Sequence, residues 1–433
     1  MAIQALLVIL AVLLVLLFLG VPISYAIAVS SLTAILSSID LNVAVLTAAQ
    51  RTFVGMSKFS LTAIPFFILA GNIMNQGGIA KRLVDFVMSI LGKLPGALLI
   101  TNIGTNALFG AISGSASAAA AAVGSMIRDG AEEQGYDPAV TAATNSASAC
   151  SGLLIPPSNA LITYSLASGG TSVAALFMAG YIPGIIWALC CCIVGVLLAK
   201  HLGYKGTPGK FDWKNLGVCT LRALPSLSLI IVVIGGIVGG IFSATEGSAI
   251  AVVYALILAF CYRSINLKSL WKIIVDSAKM SGMVVFLVGV SNILGWVMAF
   301  LQIPDAVAAA LLSLTSNKYI ILLIMNVILL VAGTFMDVTP AILIFTPLFL
   351  PICQSFGMHP IHFGLILVYN LCIGNITPPV GNALFVGIKV GRTSLEKILP
   401  YMLMYYVAII GGLLLVTYIP AVSMALPQLT GLV

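Results

Sequence analysis

The sequence predicts an all-α polytopic membrane protein folded as an inverted repeat, each half carrying one re-entrant helical hairpin and one interrupted helix. Three observations carry this prediction. Hydrophobic residues make up 61% of the 433 residues and charged residues only 7%, against roughly 25% charged in a soluble globular domain. Apolar runs recur from end to end, near the ~20 residues a bilayer-crossing helix needs. Finally, "CSGLLIPPSNAL" from Cys150 returns as "CIGNITPPVGNA" from Cys372, an offset of 222 at which Cys, Gly and both prolines coincide. The runs do not alternate polar and apolar residues, which excludes a β-barrel.

The N-terminal "MAIQALLVILAVLLVLLFLG" lacks the basic n-region of a signal peptide and reads as a retained membrane helix near 2–19. Further helices are expected near 22–38, 60–76, 139–168, 173–199, 222–242, 247–262, 281–302, 361–388 and 398–420. Leu46–Ser60 and Asn266–Met280 mix spaced charges with apolar residues, the pattern of helices lying along the membrane interface. Lys200–Arg222, the longest hydrophilic stretch, reads as a loop, and none is long enough for a soluble domain. Two segments do not fit a spanning helix: 94–127, with "GSASAAAAAVGSM" at Gly114–Met126, and 319–354, with "GTFMDVTP" from Gly333. Each half of these runs about 12 to 16 residues before a small polar break, or roughly 18–24 Å at 1.5 Å per residue. A ~30 Å hydrocarbon core is too thick for that, so two half-length helices meeting at a polar tip make a re-entrant hairpin.

The repeat organises these pieces into halves near 1–205 and 215–433. The offset of 222 sets Ser115 of the first hairpin tip on Asp337 of the second, and "GVPISYAIAV" from Gly20 resembles "GIFSATEGSAIAV" from Gly240. With Lys200–Arg222 on the cytoplasmic side, counting crossings leaves only Arg51, Lys58 and Lys318 of the 19 Lys and Arg outside. That is a strong positive-inside bias. It places both termini outside, sends the hairpins in from opposite faces, and accounts for the net charge of +7 without a nucleic-acid partner. The eight cysteines, three of them consecutive at Cys190–Cys192, read as packing residues rather than as a disulfide framework or metal site.

The polar tips are where chemistry is expected. Irregular backbone at membrane depth is tolerated only where it lines a cavity or is buried in protein. Unwound carbonyls near half-helix C-termini coordinate Na⁺, while half-helix N-termini favour anions. Each Pro-Pro interrupts a helix, removing amide donors and freeing carbonyls one turn back. Two quasi-equivalent Na⁺ sites follow as an expectation. The first joins Ser113, Gly114, Ser115 and Ser117 to Gly152 and Pro156. The second joins Gly333, Thr334 and Asp337 to Gly374, Thr377 and Val380. An Asp at mid-membrane costs about 2.5–3.5 kcal/mol on insertion scales and needs a partner or a task; cation ligand and N-cap of the following half-helix both suit Asp337. Asn145, Ser148, Ser158, Asn375 and Asn382 are candidates for substrate contact, with interhelical hydrogen bonding the alternative for such polar groups. Glu246 reads as an interfacial turn residue, the charges of Arg128–Asp137 as a solvated loop, and His201, His359 and His362 as loop-edge residues. No nucleophile–base pair, phosphate-cradling loop or metalloprotease motif occurs, so no cofactor is expected beyond Na⁺ as coupling ion, and an enzyme is disfavoured.

"GSASAAAAAVGSMI", "LLIPPSN", "GTFMDVTPAILIFTPLFLPI" and "IGNITPPVGNALF" together, in this order and over essentially the whole chain, resemble the large membrane subunit (M, DctM-like) of TRAP transporters. The resemblance implies a Na⁺-driven secondary transporter of the bacterial inner membrane working as an elevator. Scaffold helices and a first arm would occupy 1–58, and half of the moving transport domain 59–205. A cytoplasmic loop, scaffold helices and second arm would occupy 206–280, and the other transport half 281–433. It also implies two protein partners, a small membrane subunit (Q) on a separate chain and a periplasmic substrate-binding protein (P), and an organic-acid substrate such as sialic acid or a C4-dicarboxylate. A stand-alone divalent-anion/Na⁺ symporter shares hairpins and inverted repeats, but such carriers typically carry Ser-Asn-Thr at the tips. A channel with re-entrant loops is a second alternative.

Overall fold

A computed structural model describes residues 2–206, 212–315 and 317–433. Among these, every regular element is helical. Six helices, or up to eight if each of two bent pairs is one span, are long and apolar enough to cross a membrane. The first half holds α1 (Ala2–Phe18), α2 (Ile23–Ile35), α3 (Leu41–Met56), α4 (Ala63–Gln76), α5 (Ile79–Leu91), α6 (Ala97–Ser113) and α7 (Ala116–Glu133). There follow α8 (Pro138–Ala149), its continuation α9 (Ser151–Leu154), α10 (Asn159–Ala167) and α11 (Val173–His201). The second half holds α12 (Trp213–Val238), α13 (Ala244–Cys261), α14 (Leu267–Phe300), α15 (Ile303–Leu314), α16 (Lys318–Gly333), α17 (Val338–Ser355), α18 (Pro360–Asn375), α19 (Asn382–Val390), α20 (Leu395–Tyr418) and α21 (Ala421–Leu429).

The repeat pairs α6–α7 with α16–α17 as hairpins and α8–α10 with α18–α19 as interrupted helices. Both interruptions contain a cis proline–proline bond, at Pro156–Pro157 and Pro378–Pro379.

Several boundaries differ from the sequence expectation. The arm at Asn266–Met280 and the span at 281–302, which a domain boundary at 280/281 would separate, are one continuous 34-residue helix. At 1.5 Å per residue that is about 51 Å, well beyond a ~30 Å core. Its counterpart in the first half is bent by 59° between α3 and α4. Pro65 in the first turn of α4 has no amide for the preceding turn, whereas α14 contains no proline. The expected loop Lys200–Arg222 is helical up to His201 and again from Trp213, with Asp212 capping the amides of Lys214 and Asn215 at 3.0 and 3.1 Å. Residues 207–211 of that loop lie outside the described residues. The second arm of hairpin 1 runs on to Glu133, so Arg128, Asp129, Glu132 and Glu133 are helical rather than in a loop. Glu246 lies in the first turn of α13 and closes a capping box with Ser243, two reciprocal bonds that fix the helix start.

The halves interlock. The second piece of each interrupted helix packs on the hairpin of the other half: α10 on α17, and α19 on α7. Tyr164 of α10 donates its hydroxyl to the Pro360 carbonyl at 2.6 Å, and its ring fills the place a Cβ on Gly364 would take. On the other side, Gly387 and Gly391 let α19 lie against α8, where a Cβ on Gly391 would sit 2.7 Å from that of Ala142. Cys150 and Cys372, equivalent in the repeat, are both fully buried, and the Asn375 amide reaches the Cys150 sulfur at 3.9 Å.

Candidate functional site

Hairpin 1 turns at Gly114, which adopts the left-handed conformation (φ 62°) that costs a glycine nothing sterically. Ser115 follows as N-cap of α7, its hydroxyl accepting the Ala118 amide at 3.3 Å. Ser113 is buried at the end of α6, with Gly71 of α4 pressed so close that a Cβ there would lie 2.7 Å from the Ser113 carbonyl oxygen. Ser117 is half-buried one residue into α7. Of the break residues, Gly152 meets the last turn of α6 rather than the tip: a Cβ on Gly110 would stand 2.7 Å from the Gly152 Cα. Pro156 is buried within the break. Ser158 caps α10 by accepting the Leu161 amide at 3.3 Å and donating to the Leu153 carbonyl.

Hairpin 2 meets its break through the main chain. Val380 donates its amide to the Thr334 carbonyl at 3.1 Å, so the Val380 backbone contributes while its side chain stays 40% exposed. Gly333 and Gly374 cross in close backbone contact, as Gly110 and Gly152 do. The Thr334 and Thr377 hydroxyls turn back to Val331 and Ile373 carbonyls at 2.8 and 2.7 Å, and Tyr406 donates to the Ile376 carbonyl at 2.6 Å. Asp337 occupies the N-cap position of α17, but its carboxylate is exposed and makes no capping bond. The backbone there (φ −69°, ψ 162°) is that of an ordinary N-cap, yet the carboxylate bonds none of the α17 amides, so the capping role is not seen.

Among the substrate candidates, Asn145 and Ser148 are buried in a hydrogen-bond cluster. The Asn106 amide group shares its two N–H donors among Asn102 Oδ1 at 2.7 Å, Asn145 Oδ1 at 3.1 Å and Ser148 Oγ at 2.8 Å. Asn145 in turn donates to the Ala120 carbonyl at 2.8 Å. These bonds hold α6, α7 and α8 together. The second half has its own version, Asn370 donating to Asn326 at 2.8 Å and Asn326 to Thr417 at 3.0 Å. Asn375 is buried with its Oδ1 unpartnered, and Asn382 is exposed at the start of α19. His362, expected at a loop edge, is buried because Pro360 starts α18 before it, and its Nδ1 lies 2.7 Å from the Ser423 hydroxyl.

One residue was not anticipated. Asn159, the first residue of α10, donates to the Gly114 carbonyl at 3.4 Å and keeps a buried Oδ1 with no partner. It links break and tip in the first half as the Val380 amide does in the second. Its signal was the Asn two residues after the prolines in "PPSN" and three after them in "PPVGN". A fixed offset hides that pairing, since Asn159 and Asn382 are equivalent only if one residue is inserted.

Each tip lies against a helix break: near the end of α6 Gly110 crosses Gly152 of α9 and Gly114 lies against Asn159 at the start of α10, while Gly333 at the end of α16 crosses Gly374 of α18 and Thr334 accepts the Val380 amide just before α19. C-terminal carbonyls present partial negative charge and N-terminal amides partial positive charge. Such a junction has oxygen ligands for a hard monovalent cation and, on its other side, donors for an anion. Among the described residues no group of three His, Cys, Asp or Glu could hold a metal ion, and Asp337 is the one charged side chain among the tip residues 113–117 and 333–337.

Residues 10–422 match the model of the family described as "Tripartite ATP-independent periplasmic transporter, DctM component". The chain is 50% identical to the uncharacterized protein YgiK of Salmonella typhimurium, covering 95% of this chain and 94% of that one. It is 38% identical to the isethionate TRAP transporter permease protein DctMQ of Oleidesulfovibrio alaskensis, over 94% of this chain and 64% of the relative. To the C4-dicarboxylate TRAP transporter large permease protein DctM of Rhodobacter capsulatus it is 34% identical, over 95% and 96%. In fold it is similar to the crystal structure of the Alcanivorax borkumensis YdaH transporter, at a TM-score of 0.62 and 15% identity over 88% of both chains.

Proposed function

This chain belongs to the DctM family of tripartite ATP-independent periplasmic transporters, so it is a membrane transport protein and not an enzyme, and we propose that it imports an organic acid by Na⁺ symport. The observation that carries this reading is the pair of hairpin tips, each set against a helix break where backbone and neutral side-chain oxygens gather, with the Asp337 carboxylate beside the second. One Na⁺ would sit at Ser113–Ser117 with the Gly114 carbonyl and Asn159, the other at Gly333–Asp337 with Gly374, Thr377 and the Val380 backbone. The anion would lie between them, towards the N-termini of α7, α10, α17 and α19. Asn375 and Asn382 stay candidate contacts. Asn145 and Ser148 would instead hold the first hairpin to its interrupted helix.

In this reading the interlocked hairpins and interrupted helices move as one body against α1–α3 and α12–α14, an elevator motion in the bacterial inner membrane. The substrate is sialic acid or a C4-dicarboxylate, and the relative named for isethionate extends the class to small sulfonates. The partners would be a small membrane subunit and a periplasmic binding protein. Coupling two Na⁺ to a monoanion moves one net charge, worth about 2.3 kcal/mol per 100 mV.

The test is uptake of labelled succinate, isethionate and sialic acid into proteoliposomes holding this chain with its small subunit. An inward Na⁺ gradient is applied with and without the binding protein. Concentrative uptake needing both supports the proposal. Uptake indifferent to the binding protein would instead make the chain a stand-alone symporter, and currents without accumulation would make it a channel.

A further inference from the structure

Away from the tips, a cavity of about 310 Å³ opens between two groups of helices. Its size falls at the lower end of small-molecule sites, roughly 300–1,000 Å³. One wall comes from α3 and α14 and carries Arg51, Ser291, Asn292 and Trp296, with Lys58 just beyond the end of α3. The other comes from the end of α10 and from Leu343 and Pro347 of α17, the second arm of hairpin 2.

The charge of this cavity is one-sided. Arg51 and Lys58 form no ion pair among the described residues, and no lining residue is acidic. The Arg51 guanidinium stands 5.9 Å from the centre of the Trp296 ring, and the Trp296 indole N–H has no hydrogen-bond partner among the described residues. Gly169, four residues before α11, lines the cavity, and α11 then runs 29 residues, about 43 Å at 1.5 Å per residue, to His201. If the His201 end is cytoplasmic, Arg51 and Lys58 are two of only three basic residues on the outer face, against the positive-inside tendency. Two cations without an ion pair held against that tendency, one of them, Arg51, beside the Trp296 ring, and with no acid lining the cavity, have the chemistry of an anion site.

We infer that Arg51 and Lys58 form an outer anion-binding site that holds the carboxylate or sulfonate of the incoming substrate before it reaches the hairpin tips. This rests on the import reading above. Because its walls belong to both helix groups, an occupant touches α14 and hairpin 2 at once. Binding there would thus precede the movement of one against the other.

The test reads Trp296 directly in the complete complex with its small subunit. Iodide, an anionic quencher, and acrylamide, a neutral one, are applied to the wild type and to Trp296→Phe, and the difference isolates Trp296. Iodide should quench it at several-fold lower concentration than in Arg51→Gln/Lys58→Gln, with acrylamide quenching unchanged and with succinate or isethionate protecting it. In uptake, the double variant should raise KM about tenfold at unchanged maximal rate and Na⁺ half-saturation, with Arg51→Lys restoring much of it. Equal iodide quenching in wild type and double variant overturns the site. Iodide preference without protection by any organic anion overturns its assignment to substrate. If the wild type transports no organic acid, the import reading fails while the quenching result still decides whether the anion site exists.

Discussion

A Cβ on Gly374 would lie 2.5 Å from the carbonyl oxygen of Gly333, so the first arm of hairpin 2 and the second interrupted helix touch main chain to main chain. The Thr334–Val380 bond at 3.1 Å depends on that approach. Gly374→Ala should push the tip off its break. Backbone cannot yield as a side chain does, so the cost should reach or exceed the 1–3 kcal/mol typical of overpacking. Thermal melting of the purified complex should show a clear drop for Gly374→Ala and for Gly152→Ala, which faces Gly110 in the same way. Gly130→Ala, inside α7 where nothing lies within 4 Å, should melt at or slightly above wild type, since alanine favours a helix interior over glycine by about 0.5–1 kcal/mol. Equal melting of all three would mean that the glycine crossings do not matter.

Asn106 organises the cluster that ties α6 to α8. Replacing it with Ala leaves Asn145 Oδ1 and Ser148 Oγ without the donor they share. Interhelical hydrogen bonds in membrane proteins average about 0.6 kcal/mol each, and a buried acceptor left unmade costs about 1–3 kcal/mol. Asn106→Ala should therefore destabilise by about 1–3 kcal/mol in reversible unfolding from mixed micelles. The double variant Asn106→Ala/Asn145→Ala should cost less than the sum of the singles. Strict additivity would show that the two residues act independently.

Tyr164 tests the interlock of the halves. Its hydroxyl bond to the Pro360 carbonyl crosses from one half to the other, while the ring occupies the space over Gly364. Tyr164→Phe keeps the ring and loses the bond, for an expected cost of about 1 kcal/mol. Tyr164→Ala empties a fully buried aromatic site and should cost about 3–5 kcal/mol. Similar losses for both, measured by the same unfolding assay, would place the stability in the hydroxyl and not in the packing.

The hairpins and interrupted helices were legible because their signals are local: a run too short to span, a cluster of small polar residues, two prolines. The crossing of α10 onto α17 and of α19 onto α7 was not, since nothing in either segment names its partner. The spaced lysines of Leu267–Phe300 suggest an interfacial arm followed by a separate span, yet no proline interrupts the segment and it is one continuous helix. The charged neighbours of Arg128 suggest a loop, although α7 continues beneath it and its guanidinium reaches the Val390 carbonyl at 3.3 Å. Asn159 escaped because its equivalence to Asn382 breaks the constant offset by one residue.

Asn159 gives the sharpest test of the proposed first Na⁺ site. Its amide nitrogen holds the Gly114 carbonyl and its Oδ1 has no partner, leaving one oxygen free to ligate a cation beside the tip. Asn159→Ala removes that oxygen and the bond to Gly114 together, whereas Asn159→Asp keeps the oxygen and adds a negative charge. If the oxygen ligates Na⁺, the alanine variant should need severalfold more Na⁺ for half-maximal uptake. The aspartate variant should need no more than wild type, since a carboxylate is at least as good a ligand for a hard cation. Were Asn159 only a brace for the tip, both variants would lose thermal stability and maximal rate with the Na⁺ requirement unchanged. Na⁺ titration of uptake, read alongside melting of the same preparations, separates the two roles.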